Sequence, residues 1–174
     1  MTQFPYVAIE GVIGVGKTTL ARYLQAALES ELLLEVFEEN PFLKDFYADR
    51  ARYAFQNQTF FLLSRYRQQN QITDTVSHRP LVTDYLFHKN WIFAQLNLFD
   101  DELAVFENLY KALAKRIPIP RLVIYLRANV DTLMERIAIR DRPYERDMQR
   151  DYIVNLYQAY DVFFDGYTQS QVIT

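Results

Sequence analysis

Cysteine is absent from the 174 residues. That excludes disulfides, thiolate metal sites and a cysteine nucleophile, and it says nothing stronger about compartment. Only two histidines occur, His78 and His88, and neither has a partner at metal-ligand spacing. They read as surface or supporting residues, not as zinc ligands. An excess of charge of either sign is also missing: 19 Lys and Arg face 22 Asp and Glu, for a net charge of −3. Nothing global draws such a chain to nucleic acid or to an anionic membrane, so any phosphate binding must be local. No window approaches the roughly 20 apolar residues of a membrane span. Met1 to Pro5 lack the basic region, apolar run and small-residue cleavage site of a targeting segment. A soluble cytoplasmic protein without nucleic-acid or membrane partners is the expectation. Repeats, low-complexity tracts and linkers are lacking too. What is present is apolar: half of all residues are hydrophobic, which at this length supports one domain over residues 1–174.

The apolar runs are short and alternate with helical patterns. Tyr6-Val7-Ala8-Ile9 is β-prone and broken by Gly11; from Thr19 onward, Leu20, Leu24 and Leu28 recur at helical spacing. Leu32-Leu33-Leu34 is a second run, followed by an acidic turn ending in Asn40-Pro41. Ala54 to about Gln71 reads as a long helix on Phe55, Leu62 and Tyr66. Pro80 to Asp84 and Leu122 to Leu126 predict further strands, with Trp91 to Arg116 mostly helical between them. Val130 to Arg140 and Tyr152 to Phe164 predict helices, the first stopped by Pro143 and the second capped by Gly166, and Gln171 onward begins a fifth strand. Continuous apolar strands alternating with helices imply a parallel sheet covered on both faces, an α/β three-layer domain.

Gly11-Val12-Ile13-Gly14-Val15-Gly16-Lys17-Thr18 fits G-x-x-x-x-G-K-[ST], after a strand and before a helix as the mechanism requires. In such a loop, backbone N–H groups from Gly11, Gly14, Val15, Gly16 and on to Thr19 converge on phosphate oxygens. Lys17 reaches the β- and γ-phosphates, and the Thr18 hydroxyl can ligand Mg²⁺. The motif leaves open whether the triphosphate is hydrolysed or transferred. Arg136 and Arg140 stand four apart on the helix after the fourth strand, with Arg142 just before Pro143. Three cations at one helix end can close over a transferring phosphoryl group as a lid spanning about 136–147, although Asp141, Glu145 and Asp147 are near enough to pair with them.

At this point the chain resembles the deoxynucleoside kinase family, and most nearly its bacterial deoxyadenosine/deoxyguanosine kinase branch. The match is carried by Ile9-Glu10-Gly11 and the loop it opens, by Glu35-Val36-Phe37-Glu38-Glu39-Asn40-Pro41-Phe42, and by Gln58-Thr59-Phe60-Phe61-Leu62-Leu63-Ser64-Arg65. The resemblance implies a three-layer P-loop kinase with a five-stranded parallel sheet and an arginine-bearing lid. It also implies transfer of the ATP γ-phosphate to the 5′-hydroxyl of a deoxynucleoside, in nucleotide salvage. Glu35 would be the base that takes the hydroxyl proton, while Lys17, Arg136, Arg140 and Arg142 hold the transferring group. Gln58 and Arg65, seven apart, would read the nucleobase. Tyr47 and Glu145 would meet the sugar 3′-hydroxyl, with Thr18 and Asp84 at the Mg²⁺. Phe42, Phe61, Phe87 and Trp91 are candidates to sandwich the base. ATP and Mg²⁺ are the implied cofactors and a homodimer the implied assembly.

Three features depart from that pattern. Many relatives carry Arg after the acidic residue of the third strand; here Asp84 is followed by Tyr85-Leu86, and a phosphate-holding cation would come from elsewhere, for which Lys89 is the candidate. Asn90 stands where relatives often place a base-reading Asp, leaving the choice of base open. The chain stops at Thr174, inside the expected fifth strand. Two other readings remain: a nucleoside monophosphate kinase, in which Arg65 would read an acceptor phosphate, and a non-catalytic nucleotide-binding subunit.

Overall fold

Strand β1, Tyr6–Gly11, is buried along its whole length and forms the centre of the sheet. In this computed structural model, which describes residues 4–174, the strands run in the order β2-β3-β1-β4-β5, with β2 at Glu31–Leu33, β3 at Leu81–Thr83, β4 at Leu122–Leu126 and β5 at Gln171–Ile173. Met1–Gln3, and with them most of the targeting-segment reading, lie outside the described residues. Every pairing is parallel: Tyr6 is in register with Leu81, Val7 with Leu122, Leu32 with Val82 and Val123 with Val172.

Alternation along β1 sorts the two faces. Val7 and Ile9 pack with Val82, Ala21, Leu20 and Leu24 beneath helix α1, Lys17–Leu28. Tyr6 and Ala8 face the other way, onto Ile72 and Val76 of helix α3, Arg50–His78. Helices cover both sides of the sheet, which is the expected three-layer arrangement. The larger cluster includes Tyr125 of β4, and in it α4 (Lys89–Asn97), α5 (Asp100–Ala114), α6 (Val130–Arg140) and α7 (Arg150–Asp165) pack around Ile92, Phe106, Leu133, Leu156 and Tyr160.

Two element boundaries differ from the sequence expectation. The helix predicted over Ala54–Gln71 spans Arg50–His78, because the Asp49 side chain caps it by accepting from Arg52 N at 3.2 Å, and nothing interrupts it before Pro80 excludes helix at Arg79. The helix predicted over Trp91–Arg116 is two: α4 ends at Asn97, Leu98 and Phe99 are extended, and α5 starts on Asp100, Asp101 and Glu102, acidic residues that suit a helix N-terminus. A short helix α2, Leu43–Ala48, lies before α3, and Pro143–Glu145 forms a 3₁₀ turn after α6.

Candidate active site

In a parallel sheet, ligands bind beyond the carboxyl ends of the strands, and here the ends of β1, β2, β3 and β4 each lead into one segment of the site. The phosphate loop follows β1. Gly11 has φ +149°, and a Cβ there would lie 2.4 Å from Leu126 O, so close packing on β4 requires glycine. Helix α1 opens after Gly16 with no side-chain cap and no acidic residue in its first turn, leaving its N–H groups directed at an incoming anion. Lys17 Nζ donates to Gly11 O at 2.7 Å and to Val12 O at 3.1 Å. Burial and then the charge of Lys89 push its pKa down to about 8.

Glu35 follows β2, and Asp84 follows β3. The Asp84 carboxylate joins donor and acceptor ends: Oδ2 accepts from the Thr18 hydroxyl at 2.6 Å, and Oδ1 from Glu35 N at 2.7 Å. A hydroxyl and a carboxylate oxygen side by side at a phosphate loop form the hard-oxygen pair that suits Mg²⁺, which keeps its other positions for water and phosphate. Among the described residues no group of three His, Cys, Asp or Glu could enclose a metal. His78 is exposed near Asp74, and His88 is buried among Tyr110, Phe163 and Tyr167.

The Glu35 carboxylate is clamped from both sides. Oε1 accepts from Arg65 through Nε at 2.8 Å and also through Nη2, and Oε2 accepts from Lys89 Nζ at 2.8 Å. Burial alone would raise the pKa of this carboxyl, but the charges of Arg65 and Lys89 outweigh it and hold the group well below the usual carboxylate range. Arg65 Nη1 also donates to Asn90 Oδ1, while Asn90 Nδ2 donates to Phe87 O at 2.8 Å.

Lys17, Thr18, Glu35, Arg65, Asp84 and Lys89 line one cavity of about 720 Å³ together with Tyr47, Gln58, Phe61, Arg136, Arg140, Arg142 and Glu145. Among the described residues, Gln58 Nε2 is buried without a hydrogen-bond partner. The arginines divide: Arg136 donates to Val15 O of the phosphate loop at 3.0 Å, whereas Arg140 binds Glu145 Oε2 at 2.5 Å and Arg142 approaches Oε1 at 3.7 Å. Arg142 also lies 3.9 Å over the Phe37 ring, joining the lid to the segment after β2. Tyr47 stacks on Tyr144 at 5.8 Å, and burial first, then the nearby Tyr152 and Glu145, raises its phenol well above the ordinary value.

Of the four aromatic candidates for the base, only Phe61 lines the cavity. Phe87 and Trp91 stack on Tyr110, at 5.8 and 5.6 Å, and belong to the core, and Phe42 lies outside the lining; Phe37, Phe46, Phe93 and Tyr144 line it instead. Sequence reasoning also passed over the part played by Glu10. Its fully buried carboxylate accepts from Gly11 N and Leu86 N at 2.8 Å and from Tyr160 OH at 2.9 Å, fixing the loop to the segment after β3 and to α7. A lone acidic residue ending a buried apolar strand was the available signal.

Known proteins agree with this arrangement. The family model described as deoxynucleoside kinase matches residues 7–174. A deoxyguanosine kinase of Bacillus subtilis is 37% identical over 93% of this chain and 79% of its own length. A deoxyadenosine kinase of Dictyostelium discoideum is 36% identical over 91% of this chain and 66% of its own. The structure of a deoxyadenosine kinase from M. mycoides with bound dATP superposes with a TM-score of 0.86 at 25% identity, covering 98% of this chain and 90% of that one. The chain belongs to the deoxynucleoside kinase family.

Proposed function

We propose that this kinase passes the γ-phosphate of ATP to the 5′-hydroxyl of a purine deoxynucleoside, with Glu35 accepting the hydroxyl proton. One observation carries the reading: through Asp84, the phosphate-loop hydroxyl of Thr18 and the backbone of Glu35 are fixed to the same carboxylate, so donor and acceptor ends share one frame. Glu35 acts by position rather than by basicity, since a carboxylate this strongly paired is anionic throughout the working range. Gly11, Gly14, Val15, Gly16, Lys17, Thr18 and Thr19 hold the donor phosphates. When Mg²⁺ is bound it supplies charge neutralisation at the phosphates, and Thr18 and Asp84 are the residues that would hold it.

Gln58 presents an uncommitted amide to the base, and Arg65 keeps guanidinium hydrogens beyond those bound to Glu35 and Asn90. A purine offers ring nitrogens and an exocyclic group to such a pair, and the similar enzymes named for deoxyguanosine and deoxyadenosine support that choice. Tyr47 and Glu145 stand together at the far side for the sugar. The commitment of Arg65 to Glu35 also leaves it poorly placed to read an acceptor monophosphate, which favours a nucleoside over a nucleotide acceptor. The reading includes a homodimer working in the cytoplasm; among the described residues no helix is long and apolar enough to cross a membrane. Sedimentation at the mass of one chain would remove the dimer from the account.

Glu35→Gln tests the central assignment. The amide cannot take the proton, so turnover should fall by at least about 100-fold while deoxynucleoside still binds. Full activity in that variant would remove Glu35 from the role.

A further inference from the structure

Phe37 lines the cavity without a task of its own in the chemistry described above. Its stretch of chain is neither helix nor strand, yet both ends of that stretch are fixed. On one side Glu35 N donates to Asp84 Oδ1 at 2.7 Å, and Gln68 Nε2 donates to Leu34 O at 2.9 Å. On the other, Asn40 N donates to Phe37 O at 3.1 Å, and Asn40 Nδ2 donates to Asn57 Oδ1 of α3 at 2.8 Å. A half-buried ring on a loop anchored in this way is a platform rather than a loose surface residue.

What meets the platform is set by the end of the lid helix. α6 stops at Asp141, which is left-handed with φ 46°, and Arg142 is extended ahead of Pro143, its side chain crossing to the Phe37 ring. The nearby carboxylate is largely taken. Arg140 binds Glu145 Oε2 through Nε at 3.2 Å and Nη2 at 2.5 Å, which leaves Arg142 a 3.7 Å approach to Oε1. At 3.9 Å from the ring centre, the guanidinium carbon of Arg142 lies against the ring face, a contact that uses none of its N–H donors. Tyr144, two residues on, adds an aromatic contact of its own by stacking on Tyr47 of α2. The lid is thus fastened on the acceptor side by rings, with the donors of Arg142 left for an anion.

We propose, on the kinase reading above and with the lid arginines at the transferring phosphoryl group, that Phe37 is a positioning residue whose ring holds Arg142, and through it the closed lid, over the acceptor end of the cavity. Glu35 and Phe37 stand two residues apart on one anchored loop, so the lid docks on the segment that carries the proton acceptor. The ring brings no charge to the cavity. Its contribution is to keep one long, rotamer-rich side chain in a single orientation before the phosphoryl group passes.

The test compares F37L and F37Y with the wild type in kcat, in KM for deoxynucleoside, in thermal unfolding and, with no substrate present, in the rate at which trypsin cuts after Arg140; F37L is repeated in the R142M background. Leucine keeps an apolar side chain and removes the ring face. F37L should lower kcat about 3-fold to 30-fold, the range of one cation–ring contact, with KM and the unfolding temperature little changed. F37Y, which keeps the face, should recover most of the loss. Tryptic cleavage should quicken several-fold in F37L as the lid opens more often. In R142M the same substitution should have no further effect, because a residue that acts through Arg142 has nothing left to hold. An F37L enzyme within about twofold of wild-type kcat, cleavage at the wild-type rate, or an equal loss in the R142M background overturns the proposal. Should F37L fail to fold, F37M carries the same comparison. A wild type that phosphorylates no deoxynucleoside would defeat the kinase reading itself, a result distinct from the tryptic comparison, which needs no substrate.

Discussion

His88 shows what burial does to a single titratable side chain. It lies against Tyr110, Phe163 and Tyr167, and burial lowers its pKa to about 4 against the opposing effect of a hydrogen bond with Gln169. Tyr110 and Tyr167 both have raised phenol pKa values and carry no charge in acid, so the titration belongs to the imidazole. The folded pKa lies below the unfolded one, so the unfolded chain binds more protons between about pH 6.5 and 4, and stability falls as pH falls through that window. The shift corresponds to roughly 3 kcal/mol. His88→Phe should therefore flatten the decline measured by urea unfolding across that range; an unchanged slope would show that the imidazole does not titrate as its burial requires. At this scale the sequence singled out Glu35, Lys17 and Thr18, because each is tied to a motif, and the fold brings all three to one cavity. It did not reveal the clamp of Arg65 and Lys89 on Glu35, whose partners lie 30 and 54 residues away. Such contacts depend on which strand lies beside which, and no local periodicity records that.

At the scale of elements, the site is assembled by strand ends. β1 ends in the phosphate loop, β2 leads into Glu35, β3 into Asp84 and α4, and β4 into the lid helix α6. Glu10 holds the first and third of these together, with α7, through three hydrogen bonds to a buried carboxylate. Glu10→Gln turns an amide against one of three donors and should cost about 1–3 kcal/mol, with weakened ATP binding as the loop loses its tie to the segment after β3. Thermal unfolding together with ATP titration would show it; unchanged values in both would mean the carboxylate is not the tie. The strands, α1, α6 and α7 were legible from periodicity and from Gly and Pro punctuation. The break at Leu98-Phe99 was not, since apolar residues continue across it and only the acidic Asp100-Asp101-Glu102 betrays a helix start. Phe87 and Trp91 were equally misleading: an aromatic near a site in sequence is as readily core, and their stacking on Tyr110 of α5 could not be read from their own neighbours.

For the molecule as a whole, the sign of the net charge hides the character of the site. The chain is acidic overall, yet six cations converge on one cavity and are offset there by Glu35, Asp84 and Glu145. That cavity suits an anionic donor at one end and an uncharged, hydrogen-bonding acceptor at the other. The three-layer fold was legible in the alternation of short apolar runs and helices. The order β2-β3-β1-β4-β5, which brings Glu35 and Asp84 to the same side of the phosphate loop, follows from packing between distant segments.

The most direct measurement is phosphate transfer from ATP·Mg²⁺ to deoxyguanosine, deoxyadenosine, deoxycytidine, thymidine and their monophosphates, with products separated by mass. The account predicts deoxynucleoside monophosphate from the nucleosides, purines first. Diphosphate formed only from the monophosphates, or no product despite measurable ATP binding, would contradict it.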